Sequence, residues 1–179
     1  MEIIDMKELS ETLLCQAARM LTDELPIGWP GFDDAMEEIH ELFAIDGSFH
    51  MAATEKNEVV GWCAIQPSYG GRVYELHPLV VRGDSQRRGI GSALVRAAEY
   101  VARENGGLTL WLGADDEKPG GETSFANADL FDDLPEKIRN FKPGTHQTAF
   151  YLKVGFKITG VMPDANGLGK PDIYMAKRL

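Results

Sequence analysis

The stretch Gln86-Arg87-Arg88-Gly89-Ile90-Gly91 joins an apolar strand to a long periodic helix and has the makings of an anion seat. The first turn of a helix carries backbone N–H groups without intrahelical partners at the positive end of the helix dipole, so a phosphate finds donors there. Gly89 and Gly91 clear side chains from the main chain, and Arg87 and Arg88 add positive charge. The full Gly-x-Gly-x-x-Gly fingerprint and the Lys-Ser/Thr of a P-loop are missing, which disfavours a dinucleotide or ATP site. Just upstream, Glu75 and His77 share one face of the strand Val73 to Val81, with Val73, while Tyr74 and Leu76 take the other. A carboxylate and an imidazole so placed suit acid–base work at a cleft, although His77 serves equally as a core or hydrogen-bonding residue. Pro78 predicts a bulge or splay in that strand.

These residues need a scaffold, and the patterning supplies one. Met1 to Met6 reads as a first strand, followed by an amphipathic helix from Glu8 to Leu25 with Leu9, Leu13, Ala17 and Met20 or Leu21 on one face. Pro26-Ile27-Gly28-Trp29-Pro30 makes a rigid loop before a second helix, Phe32 to Phe43. Trp29 is there either as a loop anchor at the core edge or as a wall of a substrate cleft. Strands follow at Ser48 to Thr54 and Val59 to Ile65, with a reversal at Asn57-Glu58. Gly106-Gly107 ends the helix that starts at Gly89, and Leu108 to Leu112 completes a crossover with the fourth strand. Gly113 to Gly144 is irregular and rich in carboxylates, as expected of a solvated face or a mobile loop, with a helical segment around Leu130 to Phe141. A helix from Thr145 to Val154 and strands at Phe156 to Val161 and Asp172 to Lys177 close the chain. The fold class is therefore α+β: about seven strands in a mixed sheet, splayed between the fourth and fifth, flanked by four or five helices in a single domain of residues 1–179.

The 179 residues suffice for one substantial core, and the net charge of −10 argues against a general nucleic-acid binder or an anionic membrane surface. It favours a cationic partner or serves solubility alone. Cys15 and Cys63 lack metal-ligand spacing and suit small buried positions, and no metal is expected. No leader-like segment or membrane-length apolar run is seen, so the expected location is cytoplasmic.

Taken from Tyr74 to Gly91, the sequence resembles the Gln/Arg-x-x-Gly-x-Gly/Ala acetyl-CoA signature of the GCN5-related N-acetyltransferases. The resemblance implies that backbone groups of Leu79, Val80 and Val81 meet the pantetheine arm of acetyl-CoA, and that Gln86, Arg87, Arg88, Gly89, Ile90, Gly91 and Ser92 hold its pyrophosphate. Ala149-Phe150-Tyr151-Leu152-Lys153-Val154-Gly155-Phe156 resembles the family's aromatic-Tyr-x-x-x-Gly-Phe region. It implies that Tyr151 protonates or stabilises the leaving thiolate; the plain alternative is a ring packed at a helix–sheet boundary. Acetyl transfer to an amine needs a proton acceptor, and Glu75 is the candidate, as base, water relay or cation anchor.

Three further stretches, Tyr69 to Val81, Leu112 to Glu117 and Thr159 to Lys177, resemble the aminoglycoside 6'-N-acetyltransferases of that superfamily. The resemblance weakens across residues 1–59, where Trp29-Pro30 is the familiar feature, and across Pro119 to Gly144. It implies a polycationic substrate met by Trp29, Glu75, His77, Asp115, Asp116, Asp133, Glu136 and Asp172, direct transfer in a ternary complex, and a homodimer. A polyamine or protein N-acetyltransferase and a non-catalytic acyl-CoA-binding regulator are the alternatives.

Overall fold

The computed structural model describes residues 1–179, which divide into two compact units, Met1–Leu110 with Leu179, and Trp111–Arg178. The first unit contains β1 (Glu2–Asp5), α1 (Glu11–Glu24), α2 (Phe32–Ala44), β2 (Phe49–Glu55), β3 (Glu58–Ser68), β4 (Val73–Val81) and α3 (Ile90–Glu104). The chain passes through β5 (Thr109–Leu112) into the second, which contains α4 (Leu134–Arg139), α5 (Thr148–Lys153), β6 (Lys157–Met162) and β7 (Asp172–Arg178). The strand order is β1-β2-β3-β4-β5-β7-β6, with antiparallel pairing from β1 to β4 and between β6 and β7. The α+β class and the seven-stranded sheet expected from the sequence are present. No helix is long and apolar enough to cross a membrane.

In the first unit, α1 begins three residues later than its periodicity predicts. Met6–Glu8 instead forms a short 3-10 turn, which Asp5 caps by accepting the Lys7 N–H (2.9 Å). The β2–β3 reversal falls on Lys56 and Asn57 (φ +50° and +64°), one residue earlier than predicted. Left-handed backbone at both central positions is the type I′ hairpin turn, and it leaves Glu58 to pair with Glu55. Fully buried Trp62 on β3 anchors α1 by donating its indole N–H to the Ala17 carbonyl (3.0 Å), amid Met6, Leu21, Ile39 and Val80. Each such side chain withdrawn from water contributes about 1.5–3 kcal/mol. At Gly61 a Cβ would stand 3.0 Å from the Val80 carbonyl and 3.1 Å from Ile90, so the missing side chain lets β3, β4 and α3 approach closely.

β4 shows the predicted alternation. Tyr74, Leu76, Pro78 and Val80 are buried, whereas Val73, Glu75, His77, Leu79 and Val81 are half-buried. Cys63 opposes Leu79 and Ile65 opposes Leu76, so β4 carries one extra residue across His77-Pro78, the bulge that Pro78 predicts.

His50 on β2 is buried, with Nε2 donating to the Leu42 carbonyl (2.9 Å). Burial, helped by the charge of Lys7, lowers its pKa from 6.5, against the opposing effects of the Leu42 carbonyl and Asp5. Below 6.5 the unfolded chain takes up this proton before the folded one does, so the stabilisation is complete above that pH and is lost as pH falls through the folded value. Urea unfolding at pH 7.5 and 5.0 should show a steeper acid loss for wild type than for His50→Gln.

In the second unit, β6 and β7 form an antiparallel hairpin, with Lys157 opposite Ala176 and Met162 opposite Asp172. Gly155 (φ +99°) ends α5 in a Schellman arrangement, with Phe156 N–H donating to the Tyr151 carbonyl (3.0 Å) and Gly155 N–H to that of Leu152 (3.1 Å). α5 starts three residues later than predicted because His146 turns inward, its Nδ1 3.2 Å from the Thr148 hydroxyl. The 113–144 segment is packed around buried Phe125 and Leu130, with Phe125 4.5 Å from the Phe141 ring. Asp115, Asp129, Asp132, Asp133 and Glu136 stay exposed, as expected of a solvated face, and Asp116 alone of the segment's carboxylates is buried.

Candidate active site

In the first unit, β4 leads into the anion seat. The N–H of Gly83 donates to Glu24 Oε1 (2.7 Å), and Gln86 Nε2 donates to both Glu24 Oε2 (3.2 Å) and the Val81 carbonyl (3.0 Å). The end of α1 thus braces the turn that precedes α3. Gly89 caps α3 in left-handed conformation (φ +88°) without a side-chain cap, and a Cβ there would meet nothing within 4 Å. Open space beside uncapped N–H groups fits a pyrophosphate. Arg87 is exposed; Arg88 pairs with Glu55 (2.8 Å) and approaches the Ser85 hydroxyl (3.4 Å). The side chains of Val80 and Ile90 are core, so these two can serve a ligand through backbone alone, whereas Leu79, Val81, Gly91 and Ser92 are half-buried.

On β4, Glu75 Oε2 accepts from Gln66 Nε2 (3.2 Å), which orients the carboxylate. His77 is 44% exposed at its side chain, so it is no core histidine. Its Nε2 lies 3.4 Å from Glu38 Oε1, while Trp29 Nε1 donates to Glu38 Oε2 (3.3 Å) and the Trp29 and His77 rings are 5.7 Å apart. The hydrogen bond to His77 holds the Glu38 carboxyl below its ordinary range, with burial opposing. Sequence reasoning misses Glu38 because α2 carries several acidic residues, and only folding singles out the one that meets Trp29 and His77.

In the second unit, Asp115 and Asp172 face each other across an isolated antiparallel bridge. Asn166 Nδ2 donates to Asp115 Oδ1 (2.5 Å), and His146 Nε2 donates to the Asp115 carbonyl (3.0 Å). A Cβ at Gly113 would lie 2.9 Å from Asp172 Oδ2, so the glycine leaves room for that carboxylate. Burial, then the charge of Asp115, raises the Glu117 carboxyl, against Lys170. Burial, then Asp172 and Asp115, raises the Tyr174 phenol. Asp115, Glu117 and Asp172 thus make a negative basin suited to ammonium groups. Asn166, Glu117 and His146 have no local sequence signal that marks them for it.

Asp116 departs from its expected role. It is fully buried, and the N–H groups of Glu122 and Thr123 donate to its two carboxylate oxygens (2.7 and 2.8 Å). It organises the following loop, with both oxygens engaged by backbone N–H groups. Asp133 caps α4 by accepting the Glu136 N–H (3.2 Å), and both residues are exposed. Tyr151 is buried, its ring 5.2 Å from Phe150 and 5.6 Å from Phe156.

Residues 16–119 match the acetyltransferase (GNAT) family, more than half of the chain. The chain belongs to the GNAT family. This GNAT protein is similar over 99% of its length to three solved structures, covering 97% of each. One is an aminoglycoside 6'-N-acetyltransferase complexed with coenzyme A (35% identity, TM-score 0.92). Another is the aminoglycoside 6'-N-acetyltransferase from Enterococcus faecium (35%, 0.89), and a third is an aminoglycoside 6'-acetyltransferase type Ii (31%, 0.76). No curated protein matches the sequence. The GNAT chain is an acetyl-CoA-dependent acetyltransferase.

Proposed function

We propose that this acetyltransferase modifies the 6' amine of aminoglycoside antibiotics and so confers resistance. The observation that carries the reading is the basin of Asp115, Glu117 and Asp172, which suits a substrate with several ammonium groups; the likeness to aminoglycoside 6'-N-acetyltransferases supports it. Acetylation turns a cationic amine into a neutral amide and weakens charge-assisted contacts to the drug's target.

The transfer is direct. The neutral amine nitrogen forms a bond to the thioester carbonyl carbon, and the carbon–sulfur bond breaks. The amine proton goes to Glu75 or to a water it holds, and Tyr151 supplies a proton to the thiolate. Backbone groups of Leu79 to Val81 serve the pantetheine arm, and Gln86 to Ser92 the pyrophosphate. In the first unit Trp29 and His77 serve substrate binding; in the second, Asp115 and Asp172 supply carboxylates for ammonium groups, and Asp133 and Glu136 add further negative charge. The enzyme works in the cytoplasm as a homodimer, a state that light scattering reads directly.

The decisive assay follows thiol release from acetyl-CoA with kanamycin and with an analogue bearing hydroxyl at the 6' position. Turnover of kanamycin alone, with acetyl located on the 6' nitrogen by NMR, is expected. Equal turnover of the analogue overturns the regiochemistry. Turnover of polyamines or peptides alone moves the substrate to those classes.

A further inference from the structure

The loop that presents Trp29 has little to hold it. Pro26 and Pro30 lack backbone N–H groups, and the Trp29 N–H donates back to the Leu25 carbonyl (3.1 Å). What ties the loop to other elements is its tryptophan. The ring packs at the margin of the core beneath α1 and α2, and its Nε1–H is taken by Glu38 on α2. The second oxygen of that carboxylate faces His77 on β4. One half-buried anion thus meets two rings from two different elements, and those rings stand 5.7 Å apart at 43°. Tryptophan N–H and histidine are both groups whose direction matters, and a carboxylate can accept from both at once.

We infer that Glu38 is a positioning residue of the amine site: its carboxylate couples the Trp29 loop to β4 and sets the angle between the Trp29 and His77 rings before substrate arrives. The inference rests on the reading above that Trp29 and His77 meet the amine substrate. Both carboxylate oxygens of Glu38 are turned to these rings. Its removal therefore loosens recognition of the amine more than it slows the chemical step, and it leaves acetyl-CoA binding alone, because the phosphate seat is braced separately by Glu24.

The test compares wild type, Glu38→Gln and Glu38→Ala, first in ligand-free protein by NMR of the Trp29 indole N–H and the His77 ring. Steady-state kinetics with kanamycin and a panel of polyamines follow. Glu38→Ala is expected to move both resonances and to raise the amine KM about 10-fold, with kcat within about 3-fold and the acetyl-CoA KM unchanged. Glu38→Gln keeps an oxygen for Trp29 and should recover part of the loss. In a Trp29→Phe background the Glu38→Ala increment should shrink, since one coupled contact is already gone.

Unmoved resonances overturn the bridge. Moved resonances with an amine KM within about 2-fold of wild type overturn the positioning role while leaving the substrate reading intact. If wild type acetylates no amine in the panel, the substrate reading and the inference fall together. Should Glu38→Ala not fold, the near-isosteric Glu38→Gln decides alone, with unchanged resonances and amine KM as the overturning result.

Discussion

Glu75→Gln should lower kcat for kanamycin about 100-fold while leaving the acetyl-CoA KM within about 2-fold of wild type. The carboxylate sits on the half-buried face of β4 that also carries His77, and Gln66 holds one of its oxygens (3.2 Å). The amide cannot take a proton, yet it retains the shape and one acceptor, so the change isolates proton transfer from packing. Steady-state kinetics separate the roles open to Glu75. A fall in kcat marks the base or the water relay, whereas a rise in amine KM at constant kcat marks a cation anchor. Activity within about 3-fold of wild type in both parameters removes Glu75 from the chemistry.

Asp116→Ala should destabilise the protein by about 3 kcal/mol, read as a lower midpoint in urea with an unchanged slope. The fully buried carboxylate accepts from the Glu122 and Thr123 N–H groups, and its loss strands two donors in a packed segment. Each buried, unsatisfied group costs about 1–3 kcal/mol. Its exposed neighbour supplies the contrast. Asp115→Asn should change stability by less than about 0.5 kcal/mol and raise the amine KM, because its carboxylate belongs to the basin with Asp172. Equal destabilisation by the two substitutions would mean that the adjacent aspartates share a structural task.

That contrast shows where local sequence loses its grip. Asp115 and Asp116 have the same side chain in consecutive positions beyond β5, and nothing local tells them apart. Only the folding of the segment after β5, which brings the Glu122 and Thr123 N–H groups to its carboxylate, singles out Asp116. Composition suggests a solvated run because charges are usually exposed, and it cannot register two backbone donors that arrive from later in the chain. Glu38 is the same problem in reverse. It is one of several acidic residues on α2, made distinctive by a loop before it and a strand after it.

The sequence by itself determined what depends on neighbours along the chain. The alternation that turns Glu75 and His77 to one face of β4, the bulge at Pro78, the left-handed Gly89 at the start of α3 and the Gly155 stop after α5 are all of this kind, because backbone sterics and two- or 3.6-residue periods act locally. Tertiary structure decided which charges are used and how: Asp116 as a buried loop organiser, Glu38 as the link between Trp29 and His77, and Asp115, Glu117 and Asp172 as one basin. A carboxylate's role depends on its burial and on the donors or charges around it, and those partners come from distant parts of the chain.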